Sequence, residues 1–290
     1  MLEVKKIYID TRFKTSDSKS DSDFTIELGK TINIPDDCIA YIQEIVLPCS
    51  WTTIDERNNK LYYTISHYVG DNYETSYWIL PVDFRNYNGT TLAEEMMEKM
   101  NDGIYDNLKD RFRFNVEYQY TENQLKIEVI DARPVANQNG DIIEVNLLTD
   151  EDLKTDKWKG ANIAPENINS MNNIIRLTKT TLIKSTSLEE DIFYTNLDLH
   201  TTRNLYLHSS VLASYDTLSN FKMDTIIKKI CVRANYNELI FDSSMAGFDY
   251  LDVSRRSLQR IDFRLTDSYG KTINLKNSHW SMSIIFQKKG

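Results

Sequence analysis

Hydrophobic and polar positions alternate with a period of two along most of the chain. Ile7 and Ile9 form one such set, and Phe24, Ile26 and Leu28 form the next. Leu61, Tyr63 and Ile65 continue it. Ile261, Phe263 and Leu265 come late, and Trp280, Met282, Ile284 and Phe286 close the chain. Each set predicts a strand with one apolar face toward a core and one polar face toward water, as in antiparallel sheets. The stretch Cys38 to Leu47 is denser in apolar residues and predicts a strand covered on both faces. Pro35, Pro48 and Pro81 fall at strand ends, where a missing N–H does least harm. Many short strands with irregular connections predict a sandwich or barrel.

The middle of the chain breaks this rhythm. Thr91-Leu92-Ala93-Glu94 reads as a capping box, with the Thr91 hydroxyl capping the helix and Glu94 reaching back. Leu92, Met96 and Met100 follow at four-residue spacing, and Gly103 is a natural stop. Phe112 to Tyr118 and Leu125 to Ile130 both alternate, with Thr121-Glu122-Asn123 between them, and predict a hairpin. The acidic, Asn-rich stretch LLTDEDLKTDKWKGANIAPENINSMNN follows. It predicts one helical turn at Asp150 to Lys154 and an irregular surface segment. Residues 87–187 are therefore expected to form an inserted α+β unit between two parts, 1–86 and 188–290, of one β-sandwich.

Composition sharpens the fold class. At 290 residues the chain is long enough to bury a substantial core without staples. Its 17 tyrosines suit half-buried pleats. A net charge of −9 argues against a surface that grips nucleic acid as a whole and leaves room only for a local contact. Cys38, Cys49 and Cys231 are far apart with no CxxC spacing, so neither a disulfide framework nor a structural zinc site is expected. The N-terminal stretch has no apolar signal region, and no run reaches the ~20 apolar residues of a membrane span. A soluble protein made in the cytoplasm is the expectation.

Candidate chemistry is sparse. The nine residues Thr15 to Asp23 are all Thr, Ser, Asp or Lys. As a calcium loop counted from Asp17, the run would need Gly and Glu where Ser22 and Leu28 stand, so a solvated connection fits better. His67, His200, His208 and His279 show no ligand spacing, and no phosphate loop, dinucleotide fingerprint or nucleophile elbow is present. Cys49 beside Trp51 reads as a small buried hydrophobe rather than a nucleophile. The cluster Arg255-Arg256-x3-Arg260 could face solvent, a neighbouring acidic subunit or a nucleic acid. No catalytic residue, metal ligand or cofactor is expected, and the chain does not read as an enzyme.

Longer strings carry a resemblance. IDTRFKTSDSKSDSDFTIEL, followed by IPDDCIAYIQEIVLPCSWTTIDERNNKLYY, resembles the N-terminal signature of penton-type minor capsid proteins of Polinton/Maverick elements and related adintovirus-like agents. TTLAEEMMEKMN, LLTDEDLKTDKWKG, NLYLHSSVL, TIIKKICV, ELIFDSSMAGFDYLDVSRRSLQRIDFRLTDSYG and INLKNSHWSMSIIF resemble later parts of that family in matching order.

The resemblance implies a mainly β protein: a single jelly-roll β-sandwich with an inserted helix-and-hairpin unit. It implies homopentamers at icosahedral fivefold vertices of a virion, beside a double-jelly-roll major capsid protein. A host receptor or glycan is a further candidate partner, and a carbohydrate- or receptor-binding jelly-roll module is the alternative function. On this view Ser16, Asp17, Ser20 and Asp21 offer hydrogen bonds to an adjacent subunit, joined by Trp51, Arg255 and Arg256. Trp51 follows a strand end, where either the rim of the core or an interface suits it. Trp280 starts the last strand, as a core anchor or an interface hot spot.

Overall fold

A computed structural model describes residues 5–69, 72–104, 106–133, 142–185, 191–214, 223–243 and 250–289. Strands β1 (Lys5–Asp10), β2 (Asp23–Asn33) and β3 (Cys38–Pro48) come first. Then follow β4 (Lys60–Val69), β5 (Asn72–Pro81), helix α1 (Gly89–Gly103), helix α2 (Asp106–Lys109), β6 (Phe112–Gln119) and β7 (Gln124–Asp131). Next are β8 (Glu144–Leu147), helix α3 (Asp150–Leu153), β9 (Thr181–Lys184), β10 (Phe193–Asn196) and β11 (Asn204–His208). The last strands are β12 (Ile226–Cys231), β13 (Leu239–Asp242), β14 (Leu251–Asp252), β15 (Ser257–Thr266) and β16 (Ser281–Lys288). The fold is mainly β, and every named pair of strands is antiparallel.

The chain divides into two compact units, Met1–Trp51 with Thr202–Gly290, and Thr52–Thr201. The boundaries expected from sequence, 86/87 and 187/188, both fall inside the second unit. The hairpin β4–β5 pairs with β8 rather than with any strand of the first unit, which is why the break comes earlier.

The first unit holds two four-strand paths, β1-β16-β3-β13, with β14 also on β3, and β12-β11-β15-β2. Counting only this unit, the first strand pairs with the last, the second with the one before it, the third with β13, and β11 with β12. A long antiparallel ribbon wound on itself in this nested order is a jelly roll. Its winding is interrupted between β3 and β11, where the second unit is spliced in. Ile45, Leu47, Ile284 and Phe286 from one sheet and Phe24, Leu207, Ile261 and Phe263 from the other form one buried core.

Strand β3 differs from expectation. Its apolar density comes from a change of parity, not from cover on both faces. Cys38, Ala40 and Ile42 face inward, the register slips opposite Ser283/Ile284, and Ile45 and Leu47 take over. The extra residue of this bulge switches which positions face the core, so the sequence shows apolar residues at odd and even positions alike. The outward residues Ile39, Tyr41 and Val46 are only half-buried.

In the second unit the sheets run β5-β4-β8-β9 and β10-β7-β6. The hairpin β6–β7 forms as the alternation requires, with Phe112, Phe114, Val116, Leu125, Ile127 and Val129 buried. Helix α1 buries Leu92, Met96 and Met100 against it. The helix begins earlier than the sequence suggests. Asn88 is the N-cap, and Thr91 returns the bond to the Asn88 N–H in place of Glu94. Asn is as good a cap as Thr, and starting at Asn88 satisfies the same orphan donors one turn sooner.

Two further departures share a cause. Strand β4 is buried on both faces, because Tyr62 on its second face packs edge-on against Trp158 with Leu148 and Leu153 beside it. The Asn-rich segment that supplies Trp158 runs largely exposed from Thr155 to Asn169, as expected, but it is pinned by Trp158 and its end turns inward from Ser170. Met171, Ile174 and Ile175 are fully buried in the unit's main core. Asn172 is buried beside them; its Nδ2 donates to the Leu148 carbonyl and to Asp150, while its Oδ1 has no hydrogen-bond partner among the described residues.

Candidate interaction surfaces

The polar run Thr15 to Asp23 connects β1 to β2 and folds into a hydrogen-bonded knot. Thr15 and Ser18 bind the main chain of Thr25, with Thr15 donating to its carbonyl and Ser18 Oγ accepting from its N–H. The N–H groups of Lys19 and Ser20 donate to the Asp23 carbonyl. Ser16, Asp17 and Ser20 stay exposed, and Asp17 accepts from Arg260 at 2.7 Å.

Asp21 departs from the expected outward role, being only 6% exposed. Its carboxylate takes Lys14 Nζ and His279 Nδ1, each at 3.0 Å, and its carbonyl takes the Trp280 indole N–H at 2.7 Å. Burial alone would raise its pKa, but the Lys14 ammonium, the His279 ring and the Thr11 hydroxyl overcome this and hold it below the ordinary value. A short polar side chain in a loop is usually solvated. Here two partners distant in sequence, His279 and Trp280, turn it inward together with the nearby Lys14.

The arginine cluster is engaged within the chain. Arg255 pairs with Asp36 at 2.6 Å on the surface. Arg256 is half-buried and donates to the carbonyls of Val211 and Ala213. Arg260 holds Asp17. Of the three, Arg256 departs most from a contact role, because its guanidinium is spent on two main-chain carbonyls of its own chain. Trp51 is partly buried against the jelly-roll core, and Trp280 is 3% exposed and lies edge-on to Phe24.

Two side chains with reactive chemistry, His208 and Cys49, are held in quiet forms. His208 is 2% exposed, with Nδ1 3.1 Å from the Thr225 hydroxyl and Nε2 3.0 Å from the Thr266 hydroxyl. Burial, aided by the charge of Arg264, pushes its pKa down to about 4, so the ring is neutral near pH 7. Burial pushes the Cys49 thiol up to about 11, with Glu238 adding to the shift, so the nucleophilic thiolate is suppressed. No helix among the described residues is long and apolar enough to cross a membrane.

The two outer faces of the jelly roll differ in a way that period-two patterning did not reveal. The β2–β15 side shows Glu27, Arg260, Asp262 and Arg264, as a water-facing sheet should. The outer face of the β1-β16-β3-β13 sheet shows Tyr8, Val46, Leu239 and Phe241 instead, with Phe13 just past β1. Leu239 and Phe241 are 65% and 64% exposed. Sequence reasoning missed this patch. Its signal was the run Leu239-Ile240-Phe241, apolar at consecutive positions in a strand with one open face.

This arrangement defines a class: a single jelly-roll β-sandwich interrupted by a second, mostly antiparallel unit. Among solved structures, the chain is similar to the crystal structure of the selenomethionine-labelled mavirus penton protein. The two share 12% identity at a TM-score of 0.56, over 98% of this chain and 99% of that one. At that identity the likeness is one of fold. No family model matches the sequence, and no curated protein matches it.

Proposed function

We propose that the protein is a structural capsid component that forms homopentamers at the fivefold vertices of an icosahedral virion, beside a double-jelly-roll major capsid protein. The observation that carries this reading is the nested strand winding, together with an end-to-end match in fold to a penton protein that spans both units. The buried, neutral His208 and the suppressed Cys49 thiol support a protein built for packing rather than reaction. On this reading the jelly roll is the shell-forming wedge, and the second unit is an insertion carried on it. The exposed groups of Ser16, Asp17 and Ser20 face outward where an adjacent subunit could accept or donate hydrogen bonds. Synthesis in a host cytoplasm and residence in the virion follow from the same role.

Light scattering and electron microscopy of the purified protein test the proposal. Five-membered rings are the expected result. A protein that stays monomeric at high concentration, alone and with its major capsid partner, would overturn it.

A further inference from the structure

We propose that copies of this chain join through one particular heterologous contact, in which the β13 edge of one jelly roll leans on the β1 half of the outer face of the next. The inference rests on the vertex reading, since a closed ring of identical copies needs two different, complementary surfaces on each. Three observations carry it.

The first is apolar surface at both places. On the donating edge, Leu239 and Phe241 project from a four-residue strand whose other side pairs with no strand among the described residues. On the receiving half, Tyr8 is 73% exposed and Phe13 is 77% exposed. A monomer gains nothing from four large apolar side chains on one sheet face, and such patches mark contact sites.

The second is shape. Tyr8, Phe13 and Val46 line a cleft of about 260 Å³ on the receiving side. An aromatic knob entering an apolar cleft is the usual form of an interface anchor. Phe241 is the aromatic residue of the donating edge. The cleft also touches two carboxylates; Asp10 is held by a bidentate Arg12 and Glu44 accepts from the Ser283 hydroxyl, so each already has a partner when an apolar guest enters.

The third is charge. Lys5 and Lys6 on the receiving strand have no carboxylate partner among the described residues, and Lys6 lies over the Tyr8 ring. Glu238 flanks Leu239 on the donating edge and is exposed. In a chain of net charge −9, copies repel at long range unless the contact brings opposite signs together. Tyr8 and Phe241 of one chain are three strand steps apart, about 14 Å, so they cannot meet within a single copy.

That separation provides the test. A Tyr8→Cys and Phe241→Cys pair, on a Cys231→Ser background, cannot close a disulfide inside one chain, which requires Cα atoms within about 7 Å. Mild oxidation of the assembled protein should give a covalent ladder that ends at five, and either single cysteine variant should give none. In parallel, Leu239→Ser with Phe241→Ser should weaken ring formation at least tenfold by analytical ultracentrifugation while the melting temperature is unchanged. A wild-type ring that persists with these serines and yields no ladder overturns this interface and leaves the vertex reading standing. A wild-type protein that forms no ring under any condition removes the vertex reading and this contact together.

Discussion

The Trp280 indole N–H and the Asp21 carbonyl lie 259 positions apart in sequence and 2.7 Å apart in space. The bond ties the first connection of the jelly roll to the start of its last strand. The Trp280 main-chain N–H adds a second tie, to the Thr11 hydroxyl at 3.1 Å. Trp280→Phe keeps the ring against Phe24 but leaves a buried carbonyl without its donor, which costs about 1–3 kcal/mol. Trp280→Ala also opens a cavity and costs about 3–5 kcal/mol. Urea unfolding measures both. A phenylalanine variant as stable as the parent would show that the bond contributes nothing.

His208 makes stability depend on pH in a definite window. Its folded pKa, near 4, is depressed below the ordinary value of 6.5, so the unfolded chain binds the proton more readily. The contribution is therefore fully present above about pH 6.5 and is lost as pH falls toward 4, by roughly 3 kcal/mol in total. The carboxylates of Asp21 and Asp152 are also depressed, but their contributions disappear only below the ordinary carboxylate range. Unfolding free energies between pH 7 and 5 should fall more steeply in the parent than in His208→Gln, whose remaining slope comes in part from His67, also buried and held below the ordinary histidine value. A parallel decline in both proteins would assign the effect to other groups.

Asp152 is 5% exposed and anchors the short helix α3. It accepts from the Thr149 N–H and hydroxyl, from the Thr180 hydroxyl and from Lys157 Nζ. Burial opposes its ionised form, yet these donors together hold its pKa far below the usual carboxylate value. Asp152→Ala should destabilise the protein by about 1–3 kcal/mol, because Thr149, Lys157 and Thr180 lose one shared buried acceptor at once. Thermal unfolding reads the loss, and the Trp158 fluorescence should shift with it, since Trp158 packs in the same cluster as Leu153.

Gly89 opens helix α1 directly against the Tyr118 ring. A Cβ there would sit 2.4 Å from three of its ring atoms. Gly89→Ala must push the ring aside and break the Tyr118 hydroxyl bond to Asn123, at a cost of about 1–3 kcal/mol. Shortening the ring side chain removes the clash, so Gly89→Ala should be far better tolerated in a Tyr118→Ala background. A double-mutant cycle in chemical denaturation checks the coupling. Additive effects would mean that the ring yields freely.

The outer loop groups of the knot are separable from its interior. Deleting the whole run would remove Asp21 and Ser22, which are buried, and would damage the fold rather than test a contact. Replacing Ser16 and Asp17 with alanine leaves the buried ties in place, Ser20 being kept because its hydroxyl accepts from the N–H of the buried Ser22. Ring formation and incorporation into particles should weaken while the far-ultraviolet spectrum is unchanged. Unaltered assembly would remove this loop from the subunit contact.

Local pattern was enough to mark the elements. Alternation marked β1, β2, β15 and β16, the four-residue spacing of Leu92, Met96 and Met100 marked α1, and the turn at Thr121 to Asn123 marked its neighbouring hairpin. These are local choices, set by which side of a strand or helix must leave water, and a one-dimensional pattern records them. Tertiary structure alone decided the rest. It joined β4 and β5 to β8 and so moved the unit boundary to Trp51. It switched the parity of β3 at a bulge, and it buried Asp21, Asp152 and Asn172. It also left Leu239 and Phe241 uncovered. A sequence shows that a polar group needs a partner and that an apolar group needs cover. Which distant residue supplies either depends on the order in which strands pair, and that order is written only in three dimensions.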